Sequence, residues 1–385
     1  MSWVALRMLM GDRTKYLGII FGIAFATLLM SQQISIFAGI MGRTASQIKD
    51  VRDADIWVMD ANTRFIDEVP PLPETDLQRV RGVPGVAWAV KMYKGQVTCR
   101  LENGQFRSTI LFGLDDNSLI GAPQQMIAGS VEDLKQPDAV IVDKSGYEYM
   151  WKGEPIQLGR TFEMNDRRAV LVGVCKVSPP FTTLPVLYTR YSQAERFVPH
   201  DRNLMSYILA QPQPGVPAEE VCRRIEDLSR DDGHRKLSAL TQSQFFWKTI
   251  RYFLGSTGIP VNFGITIGLG FVVGVAIAGQ TFYLFTVENL KQFGALKAMG
   301  VANTRILGMI LLQALVVGAI GYGIGAGLTA GFFEGTSHIT HLAGLGMFPE
   351  VMIGVGAAVL FIVLLASVVS ARRVLLLEPA VVFRG

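Results

Sequence analysis

Few residues of this chain stand at the spacings that chemistry requires. Glu334, His338 and His341 are the densest candidate, because a carboxylate and two imidazoles in one short loop are donor types that hold zinc. The plainer reading is a polar loop with two exposed histidines. No Gly-Lys dipeptide occurs, so the chain has no Walker A loop to cradle nucleotide phosphates. HExxH and GxSxG are absent as well, which leaves no zinc-protease helix and no nucleophile elbow. Cys99, Cys175 and Cys222 match no zinc spacing; one disulfide with a thiol left over is permitted, and three buried thiols is the reading we favour. The Arg- and Asp-rich run from Arg223 to Arg235 reads as a solvated helix face and loop.

The sharpest local signal is Glu288-Asn289-Leu290-Lys291-Gln292-Phe293-Gly294-Ala295-Leu296-Lys297-Ala298-Met299-Gly300. Leu290, Phe293, Leu296 and Lys297 recur at helical spacings, and Gly300 suits a C-terminal stop. This predicts a short amphipathic helix carrying Lys291 and Lys297, placed to dock a soluble partner or, more simply, to connect two segments at a lipid surface.

The elements that position this helix are the apolar stretches around it. Leu17–Ile40, Phe263–Phe285, Ile306–Phe333 and Val351–Ala371 contain no Asp, Glu, Lys or Arg. Each reaches the ~20 residues that a bilayer core requires. Mean hydropathy is +0.32, and half of the 385 residues are hydrophobic. We therefore expect transmembrane helices at 17–41, 262–286, 306–333 and 351–371, with a large domain at 42–258 between the first two. Arg7, Arg13 and Lys15, then Lys291, Lys297 and Arg305, then Arg372, Arg373 and Arg384 flank alternate ends of the spans. The loop 334–350 has no Lys or Arg. The positive-inside rule puts both termini, the 287–305 loop and the 372–385 tail in the cytoplasm, and 42–258 outside. Residues 1–16 suit an amphipathic helix on the inner surface, and the first span reads as an uncleaved anchor.

Span three carries Gly321, Gly323, Gly325, Gly327 and Gly331, small residues that let helices approach closely. No ionisable residue lies in a span, which argues against a proton or ion relay. Four helices are few to enclose a path, so an oligomer, most simply a dimer, is expected. Nothing points to nucleic acid, and the partners expected from composition are membrane lipids and proteins.

In the large domain, Ala54–Asp60 alternates like a strand, Pro73–Arg81 reads as a helix, and Val86–Tyr93 as a second strand. The order recurs at Leu204–Ala210, the helix opened by Pro217, and Lys236–Thr241. Between them lie short β runs at Thr109–Leu114, Ala139–Val142, Thr161–Met164 and Ala169–Val174. The expected fold class is an α-helical membrane protein with four transmembrane helices plus a large extracytoplasmic α+β domain between helices 1 and 2. That domain is assembled from both ends of the insert, with a β-rich subdomain around 115–190.

Over its whole length the chain resembles the FtsX/MacB-type permeases of ABC transport systems. The carriers of the resemblance are Gln292-Phe293-Gly294-Ala295-Leu296-Lys297-Ala298-Met299-Gly300, Ala371-Arg372-Arg373, Glu378-Pro379-Ala380 and the closing Phe383-Arg384. The length and Gly22–Met30 are most similar to the DevC-type subfamily, and the large domain looks like a MacB-like periplasmic domain. Gln292 departs from the family, where an acid is common, so a charged contact would be neutral here or shifted to Glu288. The resemblance implies a non-enzymatic transport subunit in a bacterial inner membrane. Its 288–300 helix would couple to a separate ABC ATPase that binds ATP and Mg, and no cofactor would bind in this chain. It also implies a homodimer, a periplasmic adaptor (membrane fusion protein), a TolC-like outer-membrane channel, and efflux of an amphiphile such as a glycolipid, peptide or drug by mechanotransmission. Alternatives are an FtsX-like regulator of a cell-wall hydrolase, a LolC/LolE-like lipoprotein-extraction permease and, outside the family, a membrane sensor. A sensor would need cytoplasmic signalling residues that Arg372–Gly385 does not supply.

Overall fold

The first helices are α1 (Ser2–Gly11) and α2 (Arg13–Thr44). The computed structural model describes residues 2–11, 13–198, 204–231, 236–337 and 345–375. The chain divides into two compact units, Ile40–Thr257 and Met1–Gly39 together with Gly258–Gly385.

The large domain continues with α3 (Ser46–Asp50), β1 (Ile56–Asp60), β2 (Leu72–Pro73), α4 (Glu74–Arg81), β3 (Val86–Arg100) and β4 (Phe106–Leu114). Then follow β5 (Gln125–Ala128), β6 (Ala139–Asp143), α5 (Lys144–Met150), β7 (Thr161–Met164), β8 (Arg167–Lys176), β9 (Val186–Arg190) and α6 (Tyr191–Phe197). Last come β10 (Leu204–Met205), β11 (Tyr207–Pro212), α7 (Ala218–Asp231), β12 (Leu237–Thr241) and α8 (Gln242–Ser256). Among the described residues these build a ten-stranded sheet in the order β12-β1-β11-β3-β4-β9-β6-β8-β5, with β7 pairing β3 and β8. Both ends of the domain meet in it: β1 lies between β11 and β12, both antiparallel. Residues around 115–190 supply β5 to β9 to this same sheet and also carry α5.

Strand alternation explains why both sheet faces are covered. Ile56 and Val58 join one core while Trp57 and Met59 join the other, as the two-residue period of a strand dictates. The first face is roofed by Leu77 and Val80 of α4, Tyr147 of α5, Phe197 of α6, and Val221 and Ile225 of α7. The second is roofed by Ile48 of α3 and by Phe245, Phe246 and Ile250 of α8. A capping box at Thr241, reciprocated by Gln244, starts α8.

β3 runs seven residues past the strand expected at Val86–Tyr93, straight through Lys94. Lys94 is buried, and its ammonium donates to the Ile66 carbonyl (3.1 Å) and pairs with Asp67. Burial pulls its pKa down while Asp67 opposes the shift. Asp143 ends β6 by accepting from Gly146 N (3.0 Å) and Val186 N (2.7 Å). Desolvation pushes its carboxyl up to about 6 despite these hydrogen bonds. Cys99, Cys175 and Cys222 are buried free thiols.

The second unit adds α9 (Ile259–Glu288), α10 (Leu290–Ala298), α11 (Asn303–Thr336) and α12 (Pro349–Leu375). Among the described residues, Tyr16–Thr44, Ile259–Glu288, Asn303–Thr336 and Pro349–Arg372 are long and apolar enough to cross a membrane. Ile19, Ile23, Ala26 and Met30 of α2 share a core with Phe282 of α9, Val317 of α11 and Ile362 of α12. Ser31 of α2 is buried and shares a 2.7 Å hydrogen bond with Thr329 of α11. On α1, Ala5 and Leu9 are buried, and the Ala5 carbonyl accepts from Gln313 Nε2 of α11 at 2.6 Å. The inner side of α1 is thus covered by protein, while Trp3 and Arg7 remain exposed.

Candidate functional site

The short helix α10 is the local structure that the 288–300 segment dictates. Asn289 leaves helical geometry (φ −88, ψ 9), so α9 stops and the chain turns into α10. At the other end Gly300 adopts φ +84, a conformation that glycine reaches without cost. Gly300 N donates to Lys297 O (3.0 Å) and Val301 N to Leu296 O (3.1 Å), the paired bonds of a Schellman stop.

One face of α10 is anchored. Phe293 is fully buried with Ile306 and Ile310 of α11 and Ala371 and Val374 of α12. Leu290, Leu296, Val301 and Met8 of α1 pack around that cluster. Gly294 is buried, Lys297 half-buried, and Glu288, Lys291, Gln292, Met299 and Gly300 exposed. Met299, just past the end of the helix, is 72% exposed. The expected site residues are therefore brought together on one helix but divided by face. Leu290, Phe293, Gly294 and Leu296 fix it to the ends of two long helices; Lys291, Gln292 and Met299 are available to a partner. Lys297 in the last turn also complements the helix dipole. The sequence reading missed Met8 and Val301, whose apolar character alone did not mark them as part of this anchor.

The five glycines of α11 divide in the same way. A Cβ at Gly321 would lie 2.7 Å from Ile23 Cγ2, and one at Gly325 only 2.5 Å from Ala24 O, so these two hold α11 against α2. Gly323, Gly327 and Gly331 meet nothing within 4 Å and form a stripe of small residues on the outward side. His338, His341 and the tail motif Glu378–Arg384 lie outside the described residues; Glu334 is exposed near the end of α11. Among the described residues no group of three His, Cys, Asp or Glu side chains is placed to hold a metal.

Residues 16–228 match the model of the MacB-like periplasmic core domain, and residues 264–379 that of the FtsX-like permease C-terminal region. An uncharacterised ABC transporter permease of Mycobacterium tuberculosis (strain H37Rv) is 23% identical over 346 residues, covering 87% of this chain and 86% of the relative. Another from that strain is 24% identical over 370 residues, covering 94% and 93%. Among solved structures, the periplasmic region of MacB from Actinobacillus actinomycetemcomitans is 16% identical, covering 55% of this chain and 96% of that one, with a TM-score of 0.40. The extracellular domain of the noncanonic ABC-type transporter YknZ from Gram-positive bacteria is also 16% identical, covering 49% and 98%, with a TM-score of 0.36. With a periplasmic core domain of MacB type between its first two long apolar helices and an FtsX-like region after it, the chain belongs to the MacB/FtsX-type family of ABC transporter permeases.

Proposed function

We propose that this permease is the force-transmitting subunit of an ATP-driven exporter, and that α10 is where a separate ATPase engages it. The observation that carries the reading is the division of α10 into a face locked by Phe293 and a face that leaves Lys291, Gln292 and Met299 exposed. ATP and Mg belong to the partner, since this sequence has no Walker A loop. Two copies pair through their spans, and the outward stripe Gly323, Gly327, Gly331 supports close helix approach between them. Closure of the ATPases moves α10, and with it the ends of α11 and α12 that hold Phe293. The movement reaches the large domain outside the inner membrane, with both termini in the cytoplasm as the flanking charges favour. The resemblance to DevC-type chains extends this to a periplasmic adaptor, a TolC-like outer-membrane channel and an amphiphilic cargo.

The test uses Gly294→Pro, which breaks α10, and Leu296→Asp, which puts a charge into its anchor. Both variants insert in the membrane and lose the co-purifying ATPase. Normal ATPase recovery with both would remove α10 as the coupling site.

A further inference from the structure

In the large domain, Arg167, Arg168 and Arg196 line one cavity of about 420 Å³ together with Asp138, Asp166 and Gln193. Three separate segments bring them there. Asn165 and Asp166, at φ +46 and +61, make the two-residue turn between β7 and β8 and set the two arginines at the start of β8. Gln193 and Arg196 stand three apart on α6, on the same side of the helix. Asp138 directly precedes β6.

These walls are tied to one another. Asn165 Nδ2 donates to Phe197 O (2.9 Å), Gln193 Nε2 to Gln136 O (2.8 Å) and Val170 N to Asp138 O (2.7 Å). The first bond also occupies a carbonyl at the C-terminal end of α6 that would otherwise repel an anion. The cavity is therefore formed in advance, which reduces the ordering cost of binding.

Its polar groups are left open. Among the described residues, none of the three guanidinium groups and neither carboxylate takes part in an ion pair. Gln193, 3% exposed, belongs to the closed wall behind them.

The two sets of groups call for one ligand. Guanidinium forks match phosphate oxygens in paired hydrogen bonds. The two carboxylates need hydroxyl donors and disfavour a bare anion. We infer that this cavity binds a phosphorylated sugar or polyol, either free or as the headgroup of a lipid. The site is independent of ATPase docking and is measured without an ATPase.

The experiment is calorimetric titration of the full chain in a phosphate-free neutral detergent. The soluble probes are glucose 1-phosphate, glucose and inorganic phosphate; the lipid probe is phosphatidylcholine vesicles with or without phosphatidylinositol. Saturable binding is expected for glucose 1-phosphate, about tenfold or more tighter than for inorganic phosphate, with none for glucose. Binding to the phosphatidylinositol vesicles alone would identify the lipid headgroup as the source of the same chemistry. Arg167→Ala with Arg196→Ala alters exposed side chains, leaves the melting temperature unchanged and weakens binding about tenfold or more. Asp138→Asn with Asp166→Asn removes the preference for the sugar phosphate over inorganic phosphate, which a merely structural role would not do. Absence of saturable binding by both phosphorylated probes, or binding unchanged in the double arginine variant, would overturn the inference.

Discussion

Substituting alanine at Gly325 and at Gly327 separates the two sides of α11. Both changes remove a helical glycine, and the gain in helix propensity of up to ~1 kcal/mol is common to them. Their surroundings differ. The new Cβ at Gly325 would lie 2.5 Å from the Ala24 carbonyl oxygen and 2.6 Å from Thr27 Cβ. A backbone oxygen cannot rotate away, so α2 and α11 must separate, at the ~1–3 kcal/mol typical of overpacking. Separation also stretches the 2.7 Å bond between Ser31 and Thr329, worth about 0.6 kcal/mol in a membrane setting. At Gly327 the Cβ meets nothing within 4 Å. Unfolding of the monomeric chain by dodecyl sulfate in mixed micelles, followed by loss of helical circular dichroism, should place Gly325→Ala about 1–3 kcal/mol below Gly327→Ala. Equal stability of the two variants would refute the assignment of Gly325 to the α2 contact.

The large domain supplies three further expectations. The Asp143 carboxyl is raised from its usual 3.8 to about 6 by burial, so the folded chain holds this proton to higher pH than the unfolded chain does. Its contribution is full below the unfolded value and is lost as pH rises through about 6, a difference of about 3 kcal/mol at most. Wild type should therefore exceed Asp143→Ala in stability by more near pH 4 than near pH 7, and a gap that widens with rising pH would contradict the shift. Lys94→Ala unpairs Asp67 and costs toward the lower end of the ~3–5 kcal/mol seen for broken buried pairs, because the Asp67 side chain is 33% exposed. Denaturant melts of the full chain measure this loss, and a change under ~1 kcal/mol would show that Asp67 is solvated well enough without its partner. Burial pushes the thiols of Cys99 and Cys222 up to about 11 and 12 and that of Cys175 upward as well. A thiol reagent at neutral pH should label none of them in the folded chain and all three after denaturation without reductant.

The parts of this structure that could be read from the sequence are those with a strong one-dimensional signal. Long uncharged apolar stretches mark the spans because the cost of a buried charge excludes anything else. The strand expected at Ala54–Asp60 was visible through its alternation, and β1 occupies Ile56–Asp60 of it. The second half of β3 was not, because Lys94 reads as the end of a strand until Asp67 and the Ile66 carbonyl are seen to satisfy it. Helix α8 was missed because its burial rests on Phe245, Phe246 and Ile250 meeting a sheet face formed by distant strands. In α10 the stripe through Leu290, Phe293 and Leu296 was legible, but not that the anchored helix would leave Met299 outside. Helical spacing alone puts Gly321 and Gly325 opposite Gly323 and Gly327; only the packing against α2 says which side is covered. The arginine-lined cavity joins residues from three segments and has no signature along the chain.

The central claim is that α10 carries the ATPase contact on its exposed face. A photo-crosslinking amino acid placed singly at Lys291, Gln292, Met299 and, as a lipid-facing control, Leu360 tests it in native membranes. The account predicts adducts from the first three positions with one chain that hydrolyses ATP, and none from Leu360. Failure of all three α10 positions to capture an ATP-hydrolysing chain, or equal capture from Leu360, would contradict it.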